Sequence, residues 1–196
     1  MTLNESLKLC STLASFALAG LLSALLQGYT RFHFLGDMGS LLFLGAIFGV
    51  ALAVCLSIFF GLRSIWKTII LVAASAVAYP VSFLAAGLTY DNILGLSWLR
   101  NQAGDIEFQY VFFVGGFAGS FIILAAALFL SYPKLKVRWV FINAACWSVV
   151  GGLLGILGAT VSNFWLTLVW QAGMACLLAL VLSIQQRRNF IDATRS

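Results

Sequence analysis

Asp105 and Glu107 stand one residue apart just ahead of a long apolar run, and two carboxylates at that spacing could divide general acid and base work between them. Acidic side chains also suit the N-terminus of a helix, where they complement the partial positive charge of free amides, and a solvated pair at a helix entrance is the simpler reading. The one histidine, His33, shares a loop with Arg31 and Asp37, and a single imidazole without further ligands does not hold a metal. Cys10, Cys55, Cys146 and Cys176 all lie inside apolar runs, with no Cys-x-x-Cys spacing and no histidine beside them, so they are expected to act as small buried hydrophobes. The serines of the apolar runs have no neighbouring base to activate them. Phosphate loops, paired haem-ligand histidines and zinc spacings are missing as well. The chain is therefore expected to be no enzyme and to hold no cofactor and no metal.

What chemistry remains lies in backbone irregularities and a few uncharged polar groups. Pro80, next to Tyr79, removes a helical hydrogen bond and crowds the preceding turn, and Gly151 with Gly152 weakens a helix at a matching place further on. At a rise of 1.5 Å per residue, Tyr79 and Gly151 lie roughly 20 Å from one end of their helices, while Gly49, Gly119 and Gln171 lie roughly 13–15 Å from the other. These residues converge on one layer, and Gly45, Gly115, Pro80 and Gly152 complete the candidate solute cavity with them. Hydrophobic helices interrupted at corresponding places are a pointer to a transporter's binding region, in which Tyr79, Gln171 and freed carbonyls would supply the polar contacts. The competing reading is packing: the glycines let helices approach closely, and Pro80 is a tolerated kink.

The elements that must carry this layer follow from composition. Hydrophobic residues make up 62% of the 196 positions and charged residues 9%, a balance that a water-soluble chain could not bury. Successive apolar runs of about 20 residues are each long enough to cross a hydrocarbon core, and in lipid such runs must be helices to satisfy their own backbone. The expected fold is all-α, a single polytopic transmembrane domain with helices at about 7–28, 39–60, 65–88, 110–131, 138–158 and 162–184. The first run is too long and continuous for a cleaved signal, and Ser11, Ser15, Ala19 and Ser23 give it a small-residue face for another helix. The stretch 89–109 is the one long polar loop, with Asp91 placed to cap a short surface helix bearing Ile93, Leu94, Leu96, Trp98 and Leu99. Segments 43–87 and 113–158 look like two copies of a helical hairpin, each opening Phe-x-Gly-x-x-x-Gly (Phe43, Gly45, Gly49; Phe113, Gly115, Gly119) and turning at a basic loop.

Six spans put both termini on one side. Nine of the eleven Lys and Arg fall there (Lys8, Arg63, Lys67, Lys134, Lys136, Arg138, Arg187, Arg188 and Arg195), whereas Arg31 and Arg100 fall opposite. Basic residues beside short loops are retained in the cytoplasm, so both termini are expected to be cytoplasmic, in a plasma membrane of the bacterial inner-membrane kind. No ionisable group lies deep within a run; Lys8, Lys67 and Arg138 sit at the ends. That argues against a built-in proton relay. The partners expected are the lipid bilayer and, through small-residue faces and the 89–109 loop, a homo-oligomer or another membrane protein, with no nucleic acid. The function expected is a small permease or channel-like protein for an uncharged, zwitterionic or lipid-like solute; the alternative is a non-enzymatic accessory or scaffold subunit of a larger membrane complex.

Overall fold

The computed structural model describes the backbone of residues 3–29, 36–95, 104–133, 135–161 and 163–195. Among the described residues it is all-helical: α1 (Leu3–Tyr29), α2 (Gly36–Phe60), α3 (Ile65–Gly95), α4 (Gly104–Ser131), α5 (Val137–Val161) and α6 (Asn163–Arg195). Each of these helices contains a stretch of 20 to 26 residues long and apolar enough to cross a membrane. The six stretches match the sequence-based spans to within a few residues at most ends, and α6 itself begins at Asn163, one residue from the expected 162. Every helix packs on the next in sequence and α6 closes back onto α1, with further contacts from α6 to α2 and α4. Of the α6 stretch 56% is buried and of the α4 stretch 50%, against 28% for α1 and α3, so α6 and α4 are the most enclosed helices.

The half of the bundle nearer the termini is solid. Leu52 and Leu56 of α2, Leu71 of α3, Ile123, Leu124 and Leu128 of α4, and Leu178 and Leu182 of α6 are all essentially inaccessible there. Large apolar side chains such as Ile58, Trp66, Phe129 and Leu153 instead face outward. A lipid-facing leucine is as well solvated as a buried one, so what holds such a bundle is close van der Waals packing and a few polar contacts between helices.

Several polar contacts sit at helix ends. Gly61, at φ +70°, ends α2 in the left-handed conformation that glycine adopts without cost, and the Ser57 hydroxyl donates to the Leu62 carbonyl at 2.7 Å to close the turn. The Lys67 ammonium donates to the Leu130 carbonyl at 2.8 Å, satisfying one of the last carbonyls of α4 and placing positive charge at that helix's negative end. The Tyr132 hydroxyl donates to the Leu182 carbonyl at 2.7 Å, tying the α4–α5 turn to α6. Burial pushes the Tyr132 phenol up to about 12.

Several expectations are corrected. The loop 89–109 is much shorter than expected: α3 continues to Gly95 and α4 starts at Gly104, so Asp91 is an interior residue of α3 and caps no surface helix. No proline or glycine interrupts 88–94, and the Thr89 hydroxyl bonds back to the Ala85 carbonyl at 2.7 Å within the same helix, so nothing stops α3 before Gly95. Leu96, Trp98 and Leu99 lie outside the described residues, as do Arg31 and His33. The polar ends are helical too, α1 beginning at Leu3 and α6 running on to Arg195. The cysteines divide: Cys55 is buried and Cys176 half-buried, but Cys10 and Cys146 are on the outer surface.

The interrupted helices are not interrupted. α3 is unbroken through Tyr79 and Pro80, and α5 through Gly151 and Gly152. Pro80 has no N–H to offer the Ala76 carbonyl, yet the helix survives because its neighbours enclose that turn. Gly45 of α2 approaches so closely there that a Cβ would lie 2.5 Å from the Ser75 carbonyl oxygen and 3.0 Å from that of Ala76.

A candidate binding cleft between four helices

In the half of the bundle away from the termini, the packing opens into a cleft of about 100 Å³ between α3, α4, α5 and α6. α3 supplies Tyr79, Ser82, Phe83 and Ala86, which recur at i, i+3, i+4 and i+7 and therefore share one helix face. α4 supplies Phe112, Gly115 and Gly116 with the same periodicity, α5 supplies Gly155, and α6 supplies Trp170. No side chain among these is ionisable at neutral pH, and Phe83, 57% exposed, stands at the rim.

Glycines make the cleft possible by removing side chains from its back wall. A Cβ on Gly116 would lie 2.6 Å from the Gly151 carbonyl oxygen and 3.3 Å from the α-carbons of Gly152 and Gly155, so α4 and α5 touch backbone to backbone. The wall they form is bare peptide, because the room that side chains would need is taken by the backbone of the facing helix. Gly119 has a related role one turn below: its missing Cβ makes room for the Ser82 hydroxyl and for the Trp170 ring, whose Cζ2 lies 3.1 Å from where that Cβ would be.

The inner end of the cleft is aromatic and polar. Phe48, Tyr79 and Trp170 contact one another in a triangle, with ring centroids 6.5, 6.3 and 5.5 Å apart, and Tyr79 meets Trp170 edge-on at 86°. Gln171, fully buried, donates through Nε2 to the Tyr79 hydroxyl. Its Oε1 has no hydrogen-bond partner, and neither does Nε1 of Trp170. Turning the amide over would only move the deficit from Oε1 to Nε2.

The structure therefore sorts the nine residues singled out from the sequence. Tyr79 and Gly115 line the cleft, Gln171 braces Tyr79 from behind, and Gly119 seats Trp170. Gly45 and Gly49 press on α3 about one to two turns nearer the termini, at Val72, Ser75 and Ala76, and Pro80 is buried beside Tyr79 without lining the space. Gly151 and Gly152 pack on Ser120, Gly116 and Phe113 of α4. Pairs equated in the hairpin comparison meet different partners: Gly45 and Gly49 face the helix that follows them, whereas Gly115 and Gly119 face Ser82 of the helix that precedes them. Trp170, Ser82, Phe83, Ala86, Phe112, Gly116 and Gly155 were not singled out. The spacing of Gly151 and Gly155, and the adjacency of Trp170 to Gln171, were the signals that could have found two of them.

The described residues thus form six helices long and apolar enough to span a membrane, as in a multi-pass membrane protein, with an uncharged cleft between four of them. Protein-family models, characterised proteins and solved structures give no match to the chain.

Proposed function

We propose that the protein is a small multi-pass permease or channel-like protein that binds and passes an uncharged, lipid-like solute through the cleft between α3, α4, α5 and α6. The observation that carries this reading is the cleft's chemistry: aromatic rings and bare glycine backbone, with no counter-charge for an ion. Placing an unpaired charge there would cost several kcal/mol of lost solvation, which disfavours ionic solutes. Apolar cavities of this size class stay dry and take apolar ligands, as an engineered cavity of about 150 Å³ takes benzene. Solid packing on the terminus side makes this conformation one that is closed at that end.

The same reading places both termini in the cytoplasm of a bacterial inner membrane, following the basic residues, and so opens the cleft towards the outer leaflet. Passage would need the aromatic triangle of Phe48, Tyr79 and Trp170 to part, and the absence of ionisable groups at depth leaves the solute's own gradient as the driving force. Reconstitution in liposomes tests it with two uncharged lipid probes, a fluorescent diacylglycerol and a fluorescent hexosylceramide, each followed by quencher accessibility. Wild-type protein should speed one of them over protein-free vesicles, and Ala86→Leu, which projects into the cleft, should abolish the gain. Folded wild-type protein that accelerates neither probe would refute passage and leave an accessory role.

A further inference from the structure

α5 carries a polar side chain on the face it turns away from the bundle. Asn143 lies five residues beyond Arg138, about 7.5 Å along the helix axis, within the apolar stretch Val137–Gly158. It is half-buried, and its Nδ2 donates to the Trp139 carbonyl at 2.8 Å. Among the described residues neither its second N–H nor its Oδ1 has a partner. A carboxamide left unpaired in hydrocarbon is costly, and Asn143 is too short to reach back to the headgroups as Lys and Arg do. Its neighbours form a stripe: Trp139, Asn143, Cys146, Val150 and Leu153 recur at intervals of four and three residues, the 3.5-residue period of a coiled-coil seam. Trp139, Cys146, Val150 and Leu153 are all exposed. At about 100° per residue, the buried Ala144, Ser148, Gly151 and Gly155 lie on the opposite side of the helix.

The geometry points to a homodimer in which α5 pairs with α5 of a second copy, Asn143 against Asn143 and Cys146 against Cys146. The carboxamide selects this partner because it both donates and accepts and is therefore its own complement: across a two-fold axis, Nδ2–H of one copy meets Oδ1 of the other. Copies inserted in one membrane share an orientation, so the axis runs along the membrane normal, the two α5 helices lie parallel, and like residues meet in register. A single asparagine in an apolar seam fixes register and pairing in this way, and interhelical carboxamide bonds hold membrane helices together where apolar faces gain nothing over lipid. No charged residue interrupts the seam from Trp139 to Leu153. The cleft is untouched, because Gly155 faces Phe112 and Gly116 of α4 on the far side of α5, so the dimer stands independently of the solute reading.

The test reconstitutes full-length protein carrying donor or acceptor fluorophores on a C-terminal tag and dilutes it with lipid. Wild type should show energy transfer that falls on dilution as a dimer dissociates. Asn143→Leu should weaken association about three- to twentyfold, the worth of an interhelical hydrogen bond in a membrane. Leucine suits a lipid-facing position, so this variant keeps its fold. Iodine oxidation in the same vesicles reads the face: Cys10→Ala, which keeps Cys146, should give a disulfide-linked dimer, and Cys146→Ala, which keeps Cys10, should not. Cys55 and Cys176 remain in both variants and contribute equally. A monomer at every dilution would overturn the inference, as would Asn143→Leu protein that dissociates like wild type. Cross-linking through Cys10, or through neither exposed cysteine, would place any contact between copies on another face and overturn it too.

Discussion

Replacing Gly116 with alanine puts one methyl group against the backbone of α5. Its Cβ would lie 2.6 Å from the Gly151 carbonyl oxygen, whereas ordinary contact begins at 3.4 Å, so α4 and α5 must separate locally by about 0.8 Å. None of the three nearest atoms belongs to a side chain, so no rotamer change can absorb the strain. Overpacking of this kind costs about 1–3 kcal/mol, and the better helix propensity of alanine returns about 1 kcal/mol. With the contact limited by backbone, the upper part of that range applies, and Gly116→Ala should destabilise by about 1–2 kcal/mol. Gly87→Ala is the matched control, because a Cβ there meets nothing within 4 Å. It should be neutral or stabilise by up to about 1 kcal/mol. Reversible unfolding by SDS titration in mixed micelles reads both. A Gly116→Ala protein as stable as Gly87→Ala would refute the backbone-to-backbone contact and, with it, the origin of the bare wall of the cleft.

Tyr132→Phe removes the hydroxyl that donates to Leu182 and should cost about 0.5–1.5 kcal/mol at neutral pH in the same assay. Its pH dependence has a definite sign. The folded phenol is raised from 10.0 to about 12, so its contribution is fully present below pH 10 and is lost as pH rises through about 12. Wild type should therefore lose more stability than Tyr132→Phe across that alkaline window, and parallel curves would contradict the assignment. Lys67→Met removes the ammonium from the Leu130 carbonyl and should cost about 1 kcal/mol, with Lys67→Arg retaining part of it. A C-terminal fusion to an enzyme active only outside the cytoplasm should be silent, and strong activity would reverse the proposed orientation.

The fold was largely legible because the signals that specify spans are long and summed. Some 20 apolar residues bounded by Arg63, Lys67 or Pro133 place a helix to within a turn. Helix continuity was misread where one residue was asked to decide: Pro80 lacks a donor, but whether α3 breaks depends on how tightly Gly45 and its helix enclose that turn, which spacing alone does not give. The extension of α3 through Asp91 was missed for a similar reason. A capping residue was read as a helix start when no breaker preceded it. Of the residues at or beside the cleft, Tyr79, Gln171, Gly115 and Gly119 were singled out because polar groups and glycines stand out in apolar helices. Phe83, Ala86 and Phe112 were not, since nothing in sequence separates an apolar residue facing a cleft from one facing lipid.

The most direct measurement is a crystal structure grown from a lipid phase. If the cleft receives a lipid-like solute, the space between Phe83, Phe112 and Trp170 will persist and hold an elongated non-protein density ending at the Tyr79 and Trp170 side chains. A bundle in which Phe83 or Phe112 turns inward and fills that space would contradict it.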